Sequence, residues 1–574
     1  YDDVLNGSNG LTVTPTNVNG TPLLFSGGEQ MFDAENGSSL VLTLDTNVQY
    51  ALEKGLESML DKYDAANGGT GIVMDVNTGA IIAMASYPNY DLNDYGTIFD
   101  AALQKKLDAD LEKIDANRST YESEKAYADA RAKAINSAMQ SQWRNKCIDS
   151  TYEPGSTFKP ITLAAALEEG KVSKSSTFYC GGYTTVPGWS DRIWCSNHSG
   201  HGQQTLIEAV GHSCNPAFIK MGLSIGTETY YKYLKSFGLM DKTGIDMIGE
   251  VKGLFVDEDY FNSQVVSLAS YSFGQTFNVT PIELIRAQAA CINGGYLYEP
   301  YIVDQVLDED GNVLSQHDTT PVRQVISEET SAIVREALEY VVSSGSGKNG
   351  QVAGYRIGGK TGTADKTGTR KTTREVVVSF MCFAPADDPQ YIMLLTMDTP
   401  SRNTGTAVYG GTMVAPTASQ IMGEILPALG IEPDYSAEEL SGADAAVPYV
   451  VGKTAEEAKA ALKSAGFTYR TVGSGETVTD QTPAGGAIVP NNASVVLYLG
   501  AEKSDTPSTV PDVTGKTPTE ANKALTNAGL IMKVAGATSA SGGSVTAISQ
   551  SAEAGSQLPA GSVVTVRFGV RTTD

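Results

Sequence analysis

The sequence is poor in the features that define several common protein classes. It has no apolar run near the roughly 18 residues that a membrane-spanning helix needs, and no N-terminal signal-peptide pattern. Basic residues are also scarce, since 41 lysines and arginines face 66 aspartates and glutamates, for a net charge of −25. The sequence has no basic patch of the kind that binds nucleic acid, and its acidity is interpreted as a solubilising surface charge. The chain has only six cysteines and four histidines, so any clustering of them is informative.

The length of 574 residues predicts several domains. Composition changes after residue 432, and residues 433–446 have the Ala, Asp, Glu and Ser content of a linker. Beyond it the chain repeats itself: residues 447–466 match residues 510–529 at an offset of 63, and the later halves match at an offset of 69. Each copy has the pattern of a strand, a helix ending at glycine, and alternating strands. The sequence therefore predicts two small α/β modules at the C-terminal end.

The spacing of Ser156 and Lys159 is typical of a nucleophile beside its own base. A serine hydroxyl needs a base to remove its proton, and residues i and i+3 of a helix share one face about 5–6 Å apart. Such a lysine must be neutral, which requires burial or a nearby positive charge. Pro160 is tolerated only in the first turn of a helix, so we expect Ser156 at a helix N-terminus. A surface Ser and Lys that happen to be three residues apart would show the same spacing.

Two further motifs follow in order, Ser213-Cys-Asn215 and Lys360-Thr-Gly-Thr363. The set S-x-x-K, S-D-N and K-T-G is the signature of penicillin-binding proteins and class A β-lactamases, although cysteine here replaces the central residue of the second motif. Lys-Thr-Gly also begins at Lys242 and Lys366. We interpret those two copies as structural, because only the copy at Lys360 precedes a long strand pattern.

With these motifs the chain resembles a class B penicillin-binding protein, a D,D-transpeptidase of bacterial wall synthesis. Segments 42–49, 71–86 and 271–281 also resemble the family, and the C-terminal copies resemble PASTA domains of Gram-positive wall enzymes. The resemblance implies an α+β fold, with an antiparallel sheet flanked by helices plus an all-helical subdomain, followed by the two PASTA modules. The expected divisions are a remnant of an N-terminal pedestal domain (1–40), a transpeptidase domain (41–432), the linker (433–446) and PASTA domains (447–501 and 508–570).

The resemblance also implies a role for each motif residue. Ser156 would form an acyl-enzyme with a stem peptide ending in D-Ala-D-Ala, and Lys159 would take its proton. Ser213 would pass a proton to the departing D-alanine, while Asn215 would hold Lys159 and the substrate backbone. Lys360 would provide positive charge to the terminal carboxylate, which the segment Thr361, Gly362 and Thr363 would bind. The backbone N–H groups of Ser156 and Thr363 would form the oxyanion hole.

Acylation by β-lactam antibiotics is expected, and catalysis needs no cofactor. A D,D-carboxypeptidase activity is expected as a possible side reaction. Two functions compete with the transpeptidase: a D,D-carboxypeptidase or β-lactamase, in which water attacks the acyl-enzyme, and a non-catalytic protein that binds the wall or senses β-lactams. The family resemblance implies an N-terminal membrane anchor, which is absent from this sequence. It also implies a position on the extracytoplasmic face of the cell membrane and a membrane glycosyltransferase partner. The role would be in division or sporulation. For the PASTA modules, binding of wall fragments or β-lactams competes with a spacer or docking role.

The segment from Cys180 to His212 concentrates the rare residues, since it holds two of the cysteines and three of the histidines. One interpretation is a disulfide between Cys180 and Cys195, closing a 16-residue loop worth about 3 kcal/mol. The other is a structural zinc site. Cys195 and His198 have short zinc-ligand spacing, Cys180 could add a thiolate, and Asp191 is preferred over His201 as the fourth ligand. Either arrangement could regulate access to the site. The remaining lone cysteines, Cys147, Cys291 and Cys382, are interpreted as buried apolar residues.

Overall fold

The computed structural model describes residues 1–14, 30–352, 354–369, 372–431, 444–490, 493–503, 507–536 and 544–571. Residues 15–29 of the predicted pedestal remnant and residues 433–443 of the predicted linker lie outside this described part. The chain forms two compact units. The first comprises Tyr1–Gln351 and Arg356–Ala428, and the second comprises Val352–Tyr355 and Leu429–Asp574.

A five-stranded antiparallel sheet, the central sheet, organises the first unit. Its strands in spatial order are Gly358–Asp365, Val376–Ala384, Tyr391–Asp398, Gly69–Asp75 and Ile81–Tyr87. Every residue of the second of these strands is buried, which explains its unbroken apolar sequence, because helices cover both faces. The strand containing Lys360, the KTG strand Gly358–Asp365, lies at one edge. Its residues can therefore face a cleft beside the sheet.

Two packed helices, Thr46–Lys62 and Ala415–Ala428, cover part of this sheet. The first begins at Asp45, whose carboxylate accepts hydrogen bonds from the N–H groups of Asn47 and Val48 at 2.8 and 3.0 Å. Gly55 allows the two helices to approach closely, because a Cβ there would lie 2.6 Å from Ile421 Cδ1. The apolar face of each helix is thereby buried.

The helical part of the first unit surrounds the nucleophile helix Lys159–Glu168, in which all residues but the last are buried. Beside it lies Pro281–Ile292, which begins in a capping box between Thr280 and Glu283 and is buried throughout. Both helices are thus buried on nearly all sides, which places them in the core of this unit. The expected α+β class, with a sheet and a helical subdomain, is confirmed.

The other helices of this unit that have at least six residues are Ala101–Ala116, Glu124–Trp143, Leu206–Gly211, Asn215–Ile225, Thr227–Ser236, Glu258–Ser263, Val265–Tyr271 and Glu328–Ser343. Shorter helical turns are Asp2–Leu5, Arg118–Thr120, Lys146–Asp149, Gly155–Phe158, Lys348–Gly350 and Gly410–Met413. Small strands are Leu11–Val13, Gln30–Phe32, Ser39–Leu42, Thr177–Cys180, Tyr183–Thr184, Ile193–Trp194, Gly202–Thr205, Tyr296–Leu297, Val303–Leu307, Val313–Gln316 and Arg323–Gln324. Among the described residues, no helix has both the length and the apolar character for crossing a membrane.

The second unit contains the two repeats, and each has one helix packed on a three-stranded sheet. The first copy has helix Ala455–Ser464 and strands Asp444–Ala446, Thr468–Gly473, Asp480–Thr482, Ile488–Pro490 and Ser494–Leu499. The second has helix Pro518–Asn527 and strands Ser508–Thr509, Ile531–Gly536, Ser544–Gln550, Gln557–Leu558 and Val563–Arg571. In both, the last long strand pairs in parallel with the strand after the helix and antiparallel with the middle strand. The structure thus repeats as the sequence does.

A glutamine connects two segments of each repeat by hydrogen bonds at the same position, buried in the first copy and half-buried in the second. Gln481 accepts a hydrogen bond from Val450 N at 2.7 Å and donates to the carbonyls of Pro448 and Pro483 at 3.0 and 3.1 Å. Gln550 bonds in the same way to Val513 N and to two carbonyls of the second copy. One side chain therefore satisfies three backbone groups, two of them from the first segment of the repeat.

Replacing Gln481 with leucine should destabilise the first repeat by about 3 kcal/mol, since three buried backbone groups would lose their partner. Hydrogen exchange of the Val450 amide, measured by mass spectrometry on the full chain, should accelerate. The exposed Gln557 bonds only one threonine hydroxyl at 2.8 Å, and Gln557→Leu should leave exchange near its parent rate. Equal protection of Val450 in parent and Gln481→Leu would contradict this account.

Candidate active site

Ser156 lies in a 3-10 turn, Gly155–Phe158, that leads directly into the nucleophile helix. The helix itself begins at Lys159, with Pro160 in its first turn, where its missing N–H costs nothing. Gly155 adopts a left-handed φ of 57°, and a Cβ there would lie 2.9 Å from Thr363 O. This position therefore needs glycine for both its conformation and its close contact with the KTG strand.

Lys159 is completely buried and is held by the second motif. Its Nζ donates to Ser213 O at 2.7 Å, to Ser213 Oγ at 3.0 Å and to Asn215 Oδ1 at 2.8 Å. Burial lowers the pKa of Lys159 to about 8, although the nearby Cys195 and Cys214 act in the opposite direction. About one tenth of this amine is therefore neutral at pH 7, far more than for an exposed lysine, and can act as a general base.

The Ser213 hydroxyl bridges two lysines. Its Oγ accepts from Lys360 Nζ at 2.9 Å as well as from Lys159, and Lys360 also donates to Thr361 O at 3.0 Å. Burial and the charge of Lys159 hold the pKa of Lys360 well below its usual value. Two like charges this close in a buried site disfavour double protonation. The Ser213 hydroxyl can therefore pass a proton between the Lys159 and Lys360 amines.

The rest of the KTG strand is fixed by close packing. A Cβ on Gly362 would lie 2.3 Å from Ser379 Oγ and 2.9 Å from Thr157 Cγ2, so glycine lets the strand lie against the nucleophile turn. Thr361 Oγ1 lies 3.2 Å from Ser346 Oγ, and Thr363 Oγ1 accepts from Gly410 N at 3.3 Å. The predicted catalytic and substrate-binding residues thus lie on three segments that meet at one place.

The other two Lys-Thr-Gly copies lie apart from this centre. Lys366 Nζ binds the Asp398 carboxylate at 2.9 Å. Thr243, beside Lys242, donates through its hydroxyl to Glu250 at 2.6 Å. Both copies make local structural contacts, in agreement with the interpretation from their sequence settings.

A second cluster of chemically active side chains adjoins the catalytic motif. The ligand atoms of Cys180, Cys195, His201 and Cys214 all lie within 4.8 Å of one another, and we call these residues the Cys3His group. Its three cysteines are buried and its histidine half-buried. Pairing of strand Thr177–Cys180 with Gly202–Thr205 brings Cys180 near His201, and a bond from Cys195 N to Gly182 O at 2.9 Å positions Cys195.

The observed group corrects the predicted zinc ligands. Asp191 and His198 are exposed and lie outside the group, and the His198 ring packs on Trp194 at a centroid distance of 4.9 Å. His201, the alternative fourth ligand, is in the group, and Cys214 had been missed. Cys214 lies just beyond the Cys180 to His212 segment, within the Ser213-Cys-Asn215 motif, and the unusual cysteine at the centre of that motif is the signal that could have identified it. Cys180 and Cys195 are free thiols, so the alternative disulfide is absent from this structure.

The donor set of the Cys3His group fits a zinc ion. Three cysteine sulfurs and one imidazole nitrogen are a standard tetrahedral set for structural zinc. The Cys214 thiol donates to Cys195, which lowers the pKa of Cys195 and raises that of Cys214. His201 stacks on His212 at 4.8 Å, and His212 Nδ1 in turn lies 3.0 Å from Gln204 Oε1. The group thus already contains an anion-forming thiol and an oriented imidazole.

The Cys3His group and the catalytic motif share backbone. Cys214 separates Ser213 from Asn215, the two residues that hold Lys159. Asn215 Nδ2 also donates at 3.0 Å to the carbonyl of Trp194, which precedes Cys195. A change in the position of either cysteine would therefore be transmitted to the lysine partners.

Comparison with known families gives two matches. Residues 69–423 match the penicillin binding protein transpeptidase domain. Residues 445–501 and 508–570 each match the PASTA domain.

Curated proteins of similar sequence include two from well-known bacteria. The chain is 36% identical over 512 residues to "Stage V sporulation protein D" of Bacillus subtilis, covering 88% of this chain and 71% of that protein. It is 25% identical over 404 residues to "Peptidoglycan D,D-transpeptidase FtsI" of Escherichia coli, covering 70% of this chain and 58% of that protein. The chain thus spans little more than half of the FtsI protein.

Solved structures of similar fold include penicillin binding protein 2X from Streptococcus thermophilus, with a TM-score of 0.58 and 21% identity over 99% of this chain and 77% of that one. A putative peptidoglycan glycosyltransferase from Atopobium parvulum gives a TM-score of 0.58 at 23% identity over 75% of this chain and 86% of that one. At these identities the likeness is one of fold.

Proposed function

This chain belongs to the penicillin-binding protein transpeptidase family, and on that premise we propose that it is a serine-type peptidoglycan D,D-transpeptidase. The observation that supports this most directly is that Lys159, three residues after Ser156, and Lys360 both donate to the Ser213 hydroxyl. The substrate is a stem peptide ending in D-Ala-D-Ala. The product is a cross-link between two stem peptides.

In the acylation step, Ser156 Oγ attacks the carbonyl between the two terminal D-alanines while neutral Lys159 takes its proton. The oxyanion is held by the backbone N–H groups of Ser156 and Thr363, each worth about 10²–10³ in rate. The C–N bond then breaks, and the departing D-alanine receives a proton through Ser213. Lys360, Thr361 and Thr363 bind its carboxylate, while Asn215 orients Lys159.

In the second step, the amine of another stem peptide attacks the acyl-enzyme carbonyl. It loses a proton to the Lys159 and Ser213 network, and the Ser156 ester bond breaks, which restores the free hydroxyl. β-Lactams are attacked in the same way as the first substrate. A ring-opened adduct on Ser156 follows, and it persists because the leaving group remains attached.

The same proposal includes a structural zinc ion held by Cys180, Cys195, His201 and Cys214. Zinc supplies no step of the reaction. Its positive charge would offset the thiolates, and Cys180, Cys195 and His201 would thereby be held to Cys214 of the Ser213-Cys-Asn215 motif. Because metal binding to such a set contributes directly to folding free energy, the ion would stabilise the wall of the active site.

The setting follows from the relatives. Sequence similarity to a stage V sporulation protein favours a role in sporulation, and similarity to FtsI keeps division as the alternative. We place the domain on the outer face of the cell membrane, together with a membrane glycosyltransferase. The PASTA domains would bind wall fragments or act as spacers.

Replacing Ser156 with alanine should abolish covalent labelling by a fluorescent penicillin, because it removes the hydroxyl that forms the acyl-enzyme in the proposed mechanism. Gel fluorescence after denaturation measures this directly. Ser401→Ala, in the unrelated Ser401-Arg-Asn403 sequence, is the matched control and should label like the parent. Labelling retained by a folded Ser156→Ala protein would exclude the mechanism.

The rate of acylation by benzylpenicillin should rise with pH. With a Lys159 pKa of about 8, the neutral fraction increases from about one tenth at pH 7 to about nine tenths at pH 9, or roughly tenfold. Stopped-flow measurement of the acylation rate constant gives the profile. A constant or falling rate over this range would show that Lys159 is not the base.

Purified native protein should contain one zinc ion per chain, measured by inductively coupled plasma mass spectrometry. A chelator should remove it and lower the melting temperature. Cys214→Ser should lose the metal, because it deletes a ligand. Cys291→Ser, at a buried cysteine outside the group, should retain it. Absence of metal together with two fewer titratable thiols than the sequence contains would instead indicate a disulfide.

A further inference from the structure

Glu153, three residues before Ser156, has a buried carboxylate with no role in the proposed reaction. Its side chain is only 9% exposed. One oxygen accepts from the Thr276 backbone N–H at 3.3 Å, and the other accepts from the Thr367 hydroxyl. A carboxylate is suited to this position because both of its oxygens accept, whereas an amide has a single acceptor.

The first contact, to Thr276, reinforces an already close approach. Gly155 N donates to Gly274 O at 2.8 Å, and a Cβ on Gly274 would lie 1.9 Å from Gly155 O. Thr276 itself has a left-handed φ of 72°, which a threonine adopts only when its surroundings enforce it. The carboxylate of Glu153 is part of those surroundings.

The second contact, to Thr367, reaches the chain that leaves the KTG strand. This chain is firmly held, since Lys366 N donates to Glu375 O at 2.9 Å and Lys366 Nζ binds Asp398. The Lys366-Thr-Gly copy therefore has a structural role. Its lysine fixes the turn to the neighbouring strands, and its threonine hydroxyl points to Glu153.

These contacts bracket the two backbone donors of the proposed oxyanion hole. Glu153 lies three residues before Ser156, and Thr367 lies four residues after Thr363. Between them, Gly155 packs against Thr363 O. A bond at one end and a close contact at the other define the separation of the two segments.

We propose that Glu153 is a positioning residue, whose carboxylate clamps the nucleophile turn to the segment after the KTG strand through Thr367 and so sets the spacing of the Ser156 and Thr363 N–H donors. This inference rests on the proposed function. The clamp acts through the oxyanion donors and touches no substrate. It should therefore affect the chemical step and leave the initial binding of substrate unchanged.

The test measures benzylpenicillin acylation of the full chain by stopped flow, separating the dissociation constant of the non-covalent complex from the acylation rate constant. Thr367→Val removes the hydroxyl while keeping the shape. It should lower the rate constant about tenfold, a fraction of the loss expected for a missing oxyanion donor. The dissociation constant should stay within twofold of the parent. Thr367→Ser, which keeps the hydroxyl, should restore the rate.

A double-variant cycle shows whether the two residues act together. Glu153→Gln should also slow acylation, and the double variant should be no slower than the slower single variant. Thr373→Val is the matched control, because Thr373 lies in the same segment and its hydroxyl donates to the Glu375 carboxylate at 3.0 Å rather than to Glu153. It should acylate at the parent rate, and melting temperatures identify any variant that is merely unfolded.

Two results would overturn the clamp. One is a folded Thr367→Val protein that acylates within twofold of the parent rate, and the other is a double variant whose loss is the product of the single losses. A parent protein that is never acylated would instead refute the proposed function, so the two failures are distinguishable.

Discussion

Two buried lysine amines that share one hydroxyl are the constraint on which this structure depends. Lys159 and Lys360 are both fully buried and both donate to Ser213 Oγ. Removing water makes their charges costly, and their proximity adds repulsion. Burial lowers the pKa of both lysines, and the charge of Lys159 lowers that of Lys360 further. The fold must therefore offset the free energy of burying and bringing together these two amines. The close packing of the nucleophile turn on the KTG strand contributes to this.

The same packing explains why glycine is needed at particular places. Gly155 and Gly362 let the nucleophile turn and the KTG strand lie in direct contact. On the opposite side, Ser213 has a left-handed φ of 54°, which directs both its carbonyl and its hydroxyl to Lys159. Cys214 continues this turn into the Cys3His group. In this chain the catalytic centre and the proposed metal centre are thus two faces of one turn.

Much of this arrangement could be predicted from the sequence, because the chemistry depends on short motifs with fixed order. The Ser156-x-x-Lys159 spacing and the two C-terminal modules follow from local patterns, and the α+β class follows from the family resemblance that the ordered motifs indicate. The zinc ligands were harder to predict from the sequence. Cys214 joins Cys180 through folding across 34 positions, and His198, although closer in sequence to Cys195, points to Trp194. Glu153 could not be recognised at all, since its partners Thr276 and Thr367 lie 123 and 214 residues away and neither is marked by a motif.

The most direct measurement is a crystal structure of the full chain after reaction with benzylpenicillin. The account predicts continuous electron density from Ser156 Oγ to the opened β-lactam. The acyl oxygen should lie between the N–H groups of Ser156 and Thr363, and the β-lactam carboxylate should lie beside Lys360 and Thr361. An adduct on another residue, or an acyl oxygen pointing away from those two N–H groups, would contradict it.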